Sequence, residues 1–248
     1  MNAILTYHSI DDSGSPISLP IAVFKEHVRW LASGRVRVMT LDTLASAADT
    51  DTDAVAITFD DGFLNTGGAA ELLREAGLDA TVFVVTGQVG GTNAWGGREQ
   101  PGIPTLPLLG WDALGDLMRR GVRIEAHTRT HPSLMTLSDA QIDAELQGCR
   151  DDLRARLGID SRHVAYPYGD VNAEVVSRAS QVFRFGYTTD VRPAGYADPM
   201  RVPRIDMYYF RAPGAIGNWG SPAFVRRLGW IRVRRRIRRL LARPQGPV

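Results

Sequence analysis

Only one cysteine, Cys149, occurs among the 248 residues, so an internal disulfide is excluded. The thiol count is compatible with a reducing compartment without requiring one. Long apolar runs are missing as well: nothing approaches about 18 consecutive apolar residues, so no segment reads as a membrane-spanning helix. The opening Met1 to Tyr7 has neither a positively charged start nor an apolar core of signal-peptide length. The expectation from this is a cytoplasmic protein. Acids are absent from one stretch, for between Arg226 and Arg243 there are nine arginines and no Asp or Glu. Setting those nine aside from the 29 basic residues leaves 20 against 27 acidic ones, so the net charge of +2 hides an acidic body and a basic tail.

What is present is ordinary for a globular domain: 44% hydrophobic and 23% charged residues, with 25 Gly and 14 Pro supplying many turns. A chain of this length suits a single α/β barrel. Apolar runs at Ala3 to Tyr7, Val36 to Met39, Ala54 to Ile57, Ala80 to Val85, Val122 to Ile124, His163 to Tyr166, Phe185 to Tyr187 and Met200 to Ile205 read as strands. Between them, helical spacing or capping signals predict helices over Ile21 to Ser33, Leu41 to Ala48, Ala69 to Ala76, Trp111 to Arg120, Ser138 to Leu157, Ala173 to Ser180 and Phe224 to Ala242. Strands alternating with helices call for a parallel sheet with crossover connections. Gly87 to Gly110 is long and irregular, with Trp95 inside it, and is read as a loop facing a substrate. Cys149 falls on the apolar face of the 138–157 helix and is read as a buried small hydrophobe.

Two stretches carry chemistry. Thr58-Phe59-Asp60-Asp61-Gly62 places adjacent carboxylates at the end of a strand, where the Gly lets the backbone turn. Neighbouring side chains on extended backbone point in different directions, so one carboxylate can hold a metal while the other handles a proton. The run Val122 to Ile124 leads to His127-Thr128-Arg129-Thr130-His131-Pro132, with two histidines four apart and a Pro that disfavours helical geometry at His131. One carboxylate with two imidazoles suits a divalent first-row metal. In barrels of alternating strands and helices, strand ends of this kind collect on one face. A third strand end, Ala165-Tyr166-Pro167-Tyr168-Gly169-Asp170, would give that face an aromatic wall and a rigid turn.

These motifs, in this order, resemble the polysaccharide deacetylase family, carbohydrate esterases related to chitooligosaccharide and peptidoglycan deacetylases. Thr58 to Gly62 looks like the first family motif, His127 to His131 the second and Ala165 to Gly169 the third. Tyr7-His8-Ser9-Ile10 resembles the opening of the subgroup that includes biofilm poly-N-acetylglucosamine deacetylases. The likeness runs from about residue 3 to 206. It implies a distorted (β/α) barrel of about seven parallel strands and a metal, commonly zinc with cobalt or nickel as alternatives, held by Asp61, His127 and His131. Asp60 is implied as general base, and the backbone N–H of Tyr168, beside Pro167, as an oxyanion donor.

The pattern departs from the family twice. Ala165 stands where many relatives have an Arg that steadies the base, and no Leu-X-His motif near the C-terminus supplies a general acid. Arg204 is expected to steady Asp60, to stand with Pro167 and Tyr168 toward substrate, or to be a plain structural Arg. His8 is nominated for proton donation or substrate contact, against a structural role; His27 and His163 are read as non-catalytic.

The resulting expectation is a metal-dependent N-deacetylase acting on an acetylated amino sugar in a glycan or glycan precursor, in surface-polysaccharide assembly. O-deacetylation or deformylation at the same centre, and a binding homologue with impaired catalysis, are the rivals. Residues 1–220 would form the catalytic barrel, and 221–248 a basic amphipathic helix and tail. Trp230, Val233, Ile237 and Leu240 recur at helical spacing among the arginines, so 226–243 could lie on an anionic inner-membrane surface or pack on the acidic body. Nucleic acid binding is not expected, because nothing else resembles a nucleic-acid module.

Overall fold

The computed structural model describes residues 1–46 and 53–241. In chain order the elements are β1 (Ala3–Tyr7), β2 (Ser9–Ile10), β3 (Ser18–Leu19), α1 (Ile21–Leu31), β4 (Arg37–Val38), α2 (Leu41–Ser46), β5 (Ala54–Phe59) and α3 (Thr66–Glu75). There follow β6 (Thr81–Val84), α4 (Trp111–Arg119), β7 (Arg123–Ala126), α5 (Asp139–Leu157), β8 (His163–Ala165), α6 (Ala173–Val182), β9 (Phe185–Tyr187), β10 (Ile205–Asp206) and α7 (Pro222–Leu241). The expected ends of two helices, Ala47–Ala48 and Ala242, lie outside the described residues.

Among the described residues all strand pairings are parallel. The main sheet runs β10-β1-β5-β6-β7-β8-β9, with β4 beside the start of β5. It curls until its edges approach: Val202 bridges to Tyr187 of β9, and three residues later the same segment pairs with β1 as β10. A distorted (β/α) barrel is therefore formed, as the alternation of elements predicts.

Every residue of β1 and β5 is buried, which explains their unbroken apolar runs: parallel strands are covered on both faces. Alternate side chains divide between two cores. Leu5, Ile57, Val82, Ile124 and Val164 face the helices, while Ile4, Ala56, Phe83, Ala165, Tyr187 and Val202 fill the barrel interior. Cys149 is fully buried on α5, where burial pushes its thiol up to about 12.

Three elements differ from the sequence reading. The sequence reading assigns no strand or helix to residues 8–20, yet Ser9–Ile10 and Ser18–Leu19 pair as a separate small sheet; two-residue strands leave no periodic trace. Helix α3 begins at Thr66 rather than Ala69, because Gly67 and Gly68 hide its first turn. The last strand is shorter than the expected 200–205 and bends between Val202 and Ile205, which is how it serves both edges.

Candidate metal centre and its cleft

The carboxylates and imidazoles meet at the C-terminal ends of β5 and β7. Strand β5 ends at Phe59, and the Asp60 N–H still bonds the Tyr7 carbonyl of β1 at 2.9 Å. Asp61 then leaves the strand with φ 70°, and Gly62 follows at φ 75°. The chain doubles back over two residues, so the two side chains separate: Asp60 turns toward the barrel interior and Asp61 toward β7.

After β7, the His127 N–H continues the ladder to the Val84 carbonyl, and the chain turns sharply through Thr128 and His131, at φ 63° each. Besides Asp61, Thr128 and His131, the described non-glycine residues with positive φ comprise Tyr168 at 61°. Such conformations cost roughly 1–3 kcal/mol each and persist where surroundings over-determine them. All four stand at this one site.

The element that over-determines the histidine turn is α5. Glu145 Oε2 accepts the backbone N–H groups of Arg129 and Thr130, both at 2.8 Å, and its Oε1 accepts the Thr130 hydroxyl at 2.5 Å. The sequence reading missed Glu145. Its one local signal was a position one helical turn from the buried face of α5.

Asp61 Oδ1 lies 3.3 Å from His127 Nε2 and 3.4 Å from His131 Nε2. Two ligand atoms each about 2.1 Å from a tetrahedral ion stand about 3.4 Å apart. The separations thus fit an ion shared among these side chains, and the donors are free for one. Asp61 Oδ1 is buried with no hydrogen-bond partner. His127 Nδ1 is 2.7 Å from the Ala165 carbonyl, an arrangement that puts the proton on Nδ1 and leaves the Nε2 lone pair facing Asp61. The charge states of Asp61 and His131 agree. Burial pushes the Asp61 carboxyl up, but the His127 and His131 imidazoles beside it outweigh this and hold the group well below the ordinary carboxylate range. Burial lowers His131 to about 3, so it is neutral at physiological pH.

Asp60 is held differently. Arg204, 1% exposed, grips it with both guanidinium arms: Nη1 to Oδ1 and Nη2 to Oδ2, each 2.7 Å. Nε of Arg204 donates to the Thr188 carbonyl, and its guanidinium lies over the Phe83 and Tyr187 rings of the barrel interior. Burial raises the Asp60 carboxyl, yet the Arg204 charge more than reverses this, and Asp60 stays ionised. Of the roles expected for Arg204, this is the one that steadies Asp60. The substrate-facing role alongside Pro167 and Tyr168 is corrected, since a side chain sealed among interior rings with its donors engaged presents nothing to the cleft. Ala165 packs in that same interior cluster.

His8, at the end of β1, has Nε2 3.9 Å from Asp60 Oδ2 and is 21% exposed, so it reaches both the carboxylate and solvent. His27 is buried with its Nδ1 3.2 Å from the Tyr7 hydroxyl, and His163 sits against Tyr187 and Asp42; neither lines the cleft.

The cleft above these groups has a volume of about 130 Å³. Asp60, Asp61, His8, His127 and His131 form its floor; Tyr166, Tyr168 and Thr189 form one side. Trp95, Gln100 and Ile103 of the long loop form the other, which is where a loop read as substrate-facing should lie. Trp95 stacks on His131 with centroids 4.4 Å apart, and Tyr168 meets the same imidazole edge-on at 4.9 Å. Asn93, buried, ties the loop back on itself through the Pro104 carbonyl and the Leu106 N–H. Pro167 is buried beneath Tyr168 and opens the turn that presents it.

Comparison with known proteins places these features in context. The family model described as polysaccharide deacetylase matches residues 47–188, more than half of the chain. The polysaccharide-deacetylase relative YxkH of Bacillus subtilis (strain 168) is 26% identical over 193 residues, covering 75% of this chain and 64% of its own. The chain thus spans just under two thirds of that relative. Among solved structures, IcaB from Ammonifex degensii superposes with a TM-score of 0.71 at 21% identity, over 93% of this chain and 96% of its own. Streptococcus pyogenes deacetylase PplD, solved with acetate, gives 0.70 at 19% identity, over 83% and 91%. At these identities the superpositions establish the shared fold.

Proposed function

Because the chain belongs to the polysaccharide deacetylase family, we propose that it is a metal-dependent hydrolase that removes the N-acetyl group from an amino sugar in a glycan or glycan precursor. The observation that carries this reading is the buried convergence of Asp61, His127 and His131 beside a separate, ionised Asp60. Asp61, His127 and His131 would hold the metal, most simply zinc, with cobalt or nickel also suited to the donor set. When bound, the ion supplies Lewis-acid polarisation and acidifies water.

The remaining steps fall to the chain. Asp60 accepts the proton of the attacking water at a carboxylate oxygen; Arg204 occupies one lone pair of each oxygen and leaves others available. The backbone N–H of Tyr168, fixed by its left-handed turn, donates to the oxyanion formed on the acetyl carbon. His8 gives a proton to the departing nitrogen as the C–N bond breaks, so acetate and a free amine leave. Trp95 and Tyr168 flank the sugar and exclude water. The reading of the chain as a catalytically impaired binding protein loses one of its grounds, since Arg204 supplies the support that Ala165 lacks. Surface-polysaccharide assembly is the process we assign to it.

The test is acetate release from soluble, lipid-linked and polymeric N-acetylated sugars, and from their O-acetylated counterparts, with zinc, cobalt or nickel added. Release from an N-acetylated sugar by the metal-loaded chain supports the proposal. Release confined to O-acetylated substrates, or none under any metal, refutes it.

A further inference from the structure

Helix α7 carries two apolar stripes, and the barrel covers one of them. Phe224, Leu228 and Ile231 are buried, and Arg235, next in that series, reaches across to the body. Trp230, Val233 and Ile237 belong to another series, headed by Arg226, and are 70%, 51% and 50% exposed. At about 100° per residue the two stripes lie roughly 200° apart, on opposite sides of the helix. Arg232 falls between them on one side, Arg227 and Arg234 on the other. No acid lies anywhere between Arg226 and Arg243, among nine arginines. A large exposed Trp with Val and Ile in line is unusual on a free surface, and here the line is headed by Arg226 and bordered by Arg234, while Arg232 lies 3.8 Å from Asp190 and Arg227 donates to the Tyr209 carbonyl.

We propose that the outer face of α7 lies on an anionic lipid bilayer, with Trp230, Val233 and Ile237 inserted at the headgroup boundary and the arginines beside phosphate groups. Charge and apolar content together select this occupant. A second copy of the chain meeting stripe to stripe would set arginine rows against each other with no acid in either segment to pair with them. A nucleic acid would pair with the arginines and leave the indole and the two aliphatic side chains uncovered. An anionic bilayer satisfies both features at once. Among the described residues no helix is long and apolar enough to cross it, so the contact is peripheral.

The inner stripe links this surface to the cleft. Arg235 donates to the Thr189 hydroxyl at 2.7 Å, and that hydroxyl in turn donates to the Tyr168 carbonyl at 3.0 Å. The cleft wall is therefore separated from the bilayer by about one helix diameter, roughly 10 Å. Resting on the deacetylase reading, this places the cleft within reach of an N-acetylated sugar whose anchor stays in the lipid.

The experiment is flotation of the full chain with vesicles of phosphatidylcholine alone or mixed with phosphatidylglycerol. Binding is expected to the mixed vesicles and not to the neutral ones. The triple variant Trp230→Ser/Val233→Ser/Ile237→Ser should reduce partitioning roughly tenfold or more. Arg226→Gln/Arg234→Gln should reduce it by about five-fold per arginine, the equivalent of about 1 kcal/mol each. Unchanged thermal unfolding certifies that both variants are folded. No binding to mixed vesicles overturns the proposal. So does binding that the Ser variant leaves intact and duplex DNA competes away, or a dimer that the Ser variant converts to monomer. Acetate release is measured separately on an N-acetylglucosaminyl lipid in the vesicles and on its soluble headgroup. The Ser variant should slow the first about tenfold and leave the second alone. No turnover of either substrate would refute the deacetylase reading while the flotation result stood on its own.

Discussion

Replacing Arg204 by Met removes a buried guanidinium of similar length and leaves Asp60, 2% exposed, without its bidentate partner. Breaking a buried pair by deleting one member costs about 3–5 kcal/mol, because the remaining charge is left uncompensated. For a chain of this size that is a fall in melting temperature of roughly 6–20 °C at neutral pH. The sign with pH follows from the ionisation of Asp60. In the native protein its folded pKa lies below the unfolded one, so its contribution to stability is present above the unfolded value and fades as pH falls through the folded value. Without Arg204, burial is opposed only by the smaller influence of His127 and His8, so the folded pKa rises; the carboxyl then protonates more readily, and the destabilisation shrinks as the solution is made acidic. Activity moves the same way: the acidic limb of the pH–rate profile should shift upward in Arg204→Met, because the base is lost at higher pH. The assay pairs thermal unfolding across pH with that profile, and Arg204→Lys serves as comparison, since an ammonium keeps the charge but not the fork. An acidic limb that stays in place in Arg204→Met would refute the claim that Arg204 sets the ionisation of Asp60.

Glu145→Ala releases the backbone N–H groups of Arg129 and Thr130 and should weaken metal affinity about 10- to 100-fold, read by competition with a chromogenic chelator; unchanged affinity would show that the turn holds itself. Glu125, on β7 beside the start of β8, is raised to about 7 by burial despite three donors to its Oε2. Its folded form therefore binds a proton that the unfolded chain releases, so stability should decline as pH rises from the unfolded value toward 7; Glu125→Gln should flatten that slope in denaturant titrations. Gly186→Ala would set a Cβ 2.1 Å from the Tyr166 hydroxyl in the barrel wall and should cost about 1–3 kcal/mol, measured by urea unfolding.

The Asp-His-His cluster was legible because its parts are short-range motifs: a strand run ending in Asp60-Asp61-Gly62, and another ending in two histidines closed by Pro132. The parallel barrel was legible for a related reason, since strands buried on both faces show as plain apolar runs. What escaped depends on distance or brevity. Arg204 and Asp60 are 144 positions apart, so no local pattern could choose between a supporting and a substrate-facing role. Glu145 acts on backbone N–H groups, which have no side-chain signature at the receiving end. The sheet of Ser9–Ile10 and Ser18–Leu19 is too short to show alternation. The left-handed turns at Asp61, Thr128, His131 and Tyr168 run against residue preference, because surrounding packing imposes them. Helix α7 was read as either membrane-facing or packed; its inner stripe packs on the barrel, and its outer stripe is the one proposed to meet the membrane.

The division of labour between the adjacent carboxylates is the central claim, and a metal titration by calorimetry on the wild type, Asp60→Asn and Asp61→Asn, with acetate release followed on the same samples, tests it most directly. Wild type and Asp60→Asn should take up a single ion with similar affinity, Asp61→Asn should lose it, and only the wild type should release acetate. Loss of the ion in Asp60→Asn with retention in Asp61→Asn, or acetate release by Asp60→Asn at the wild-type rate, would contradict the claim.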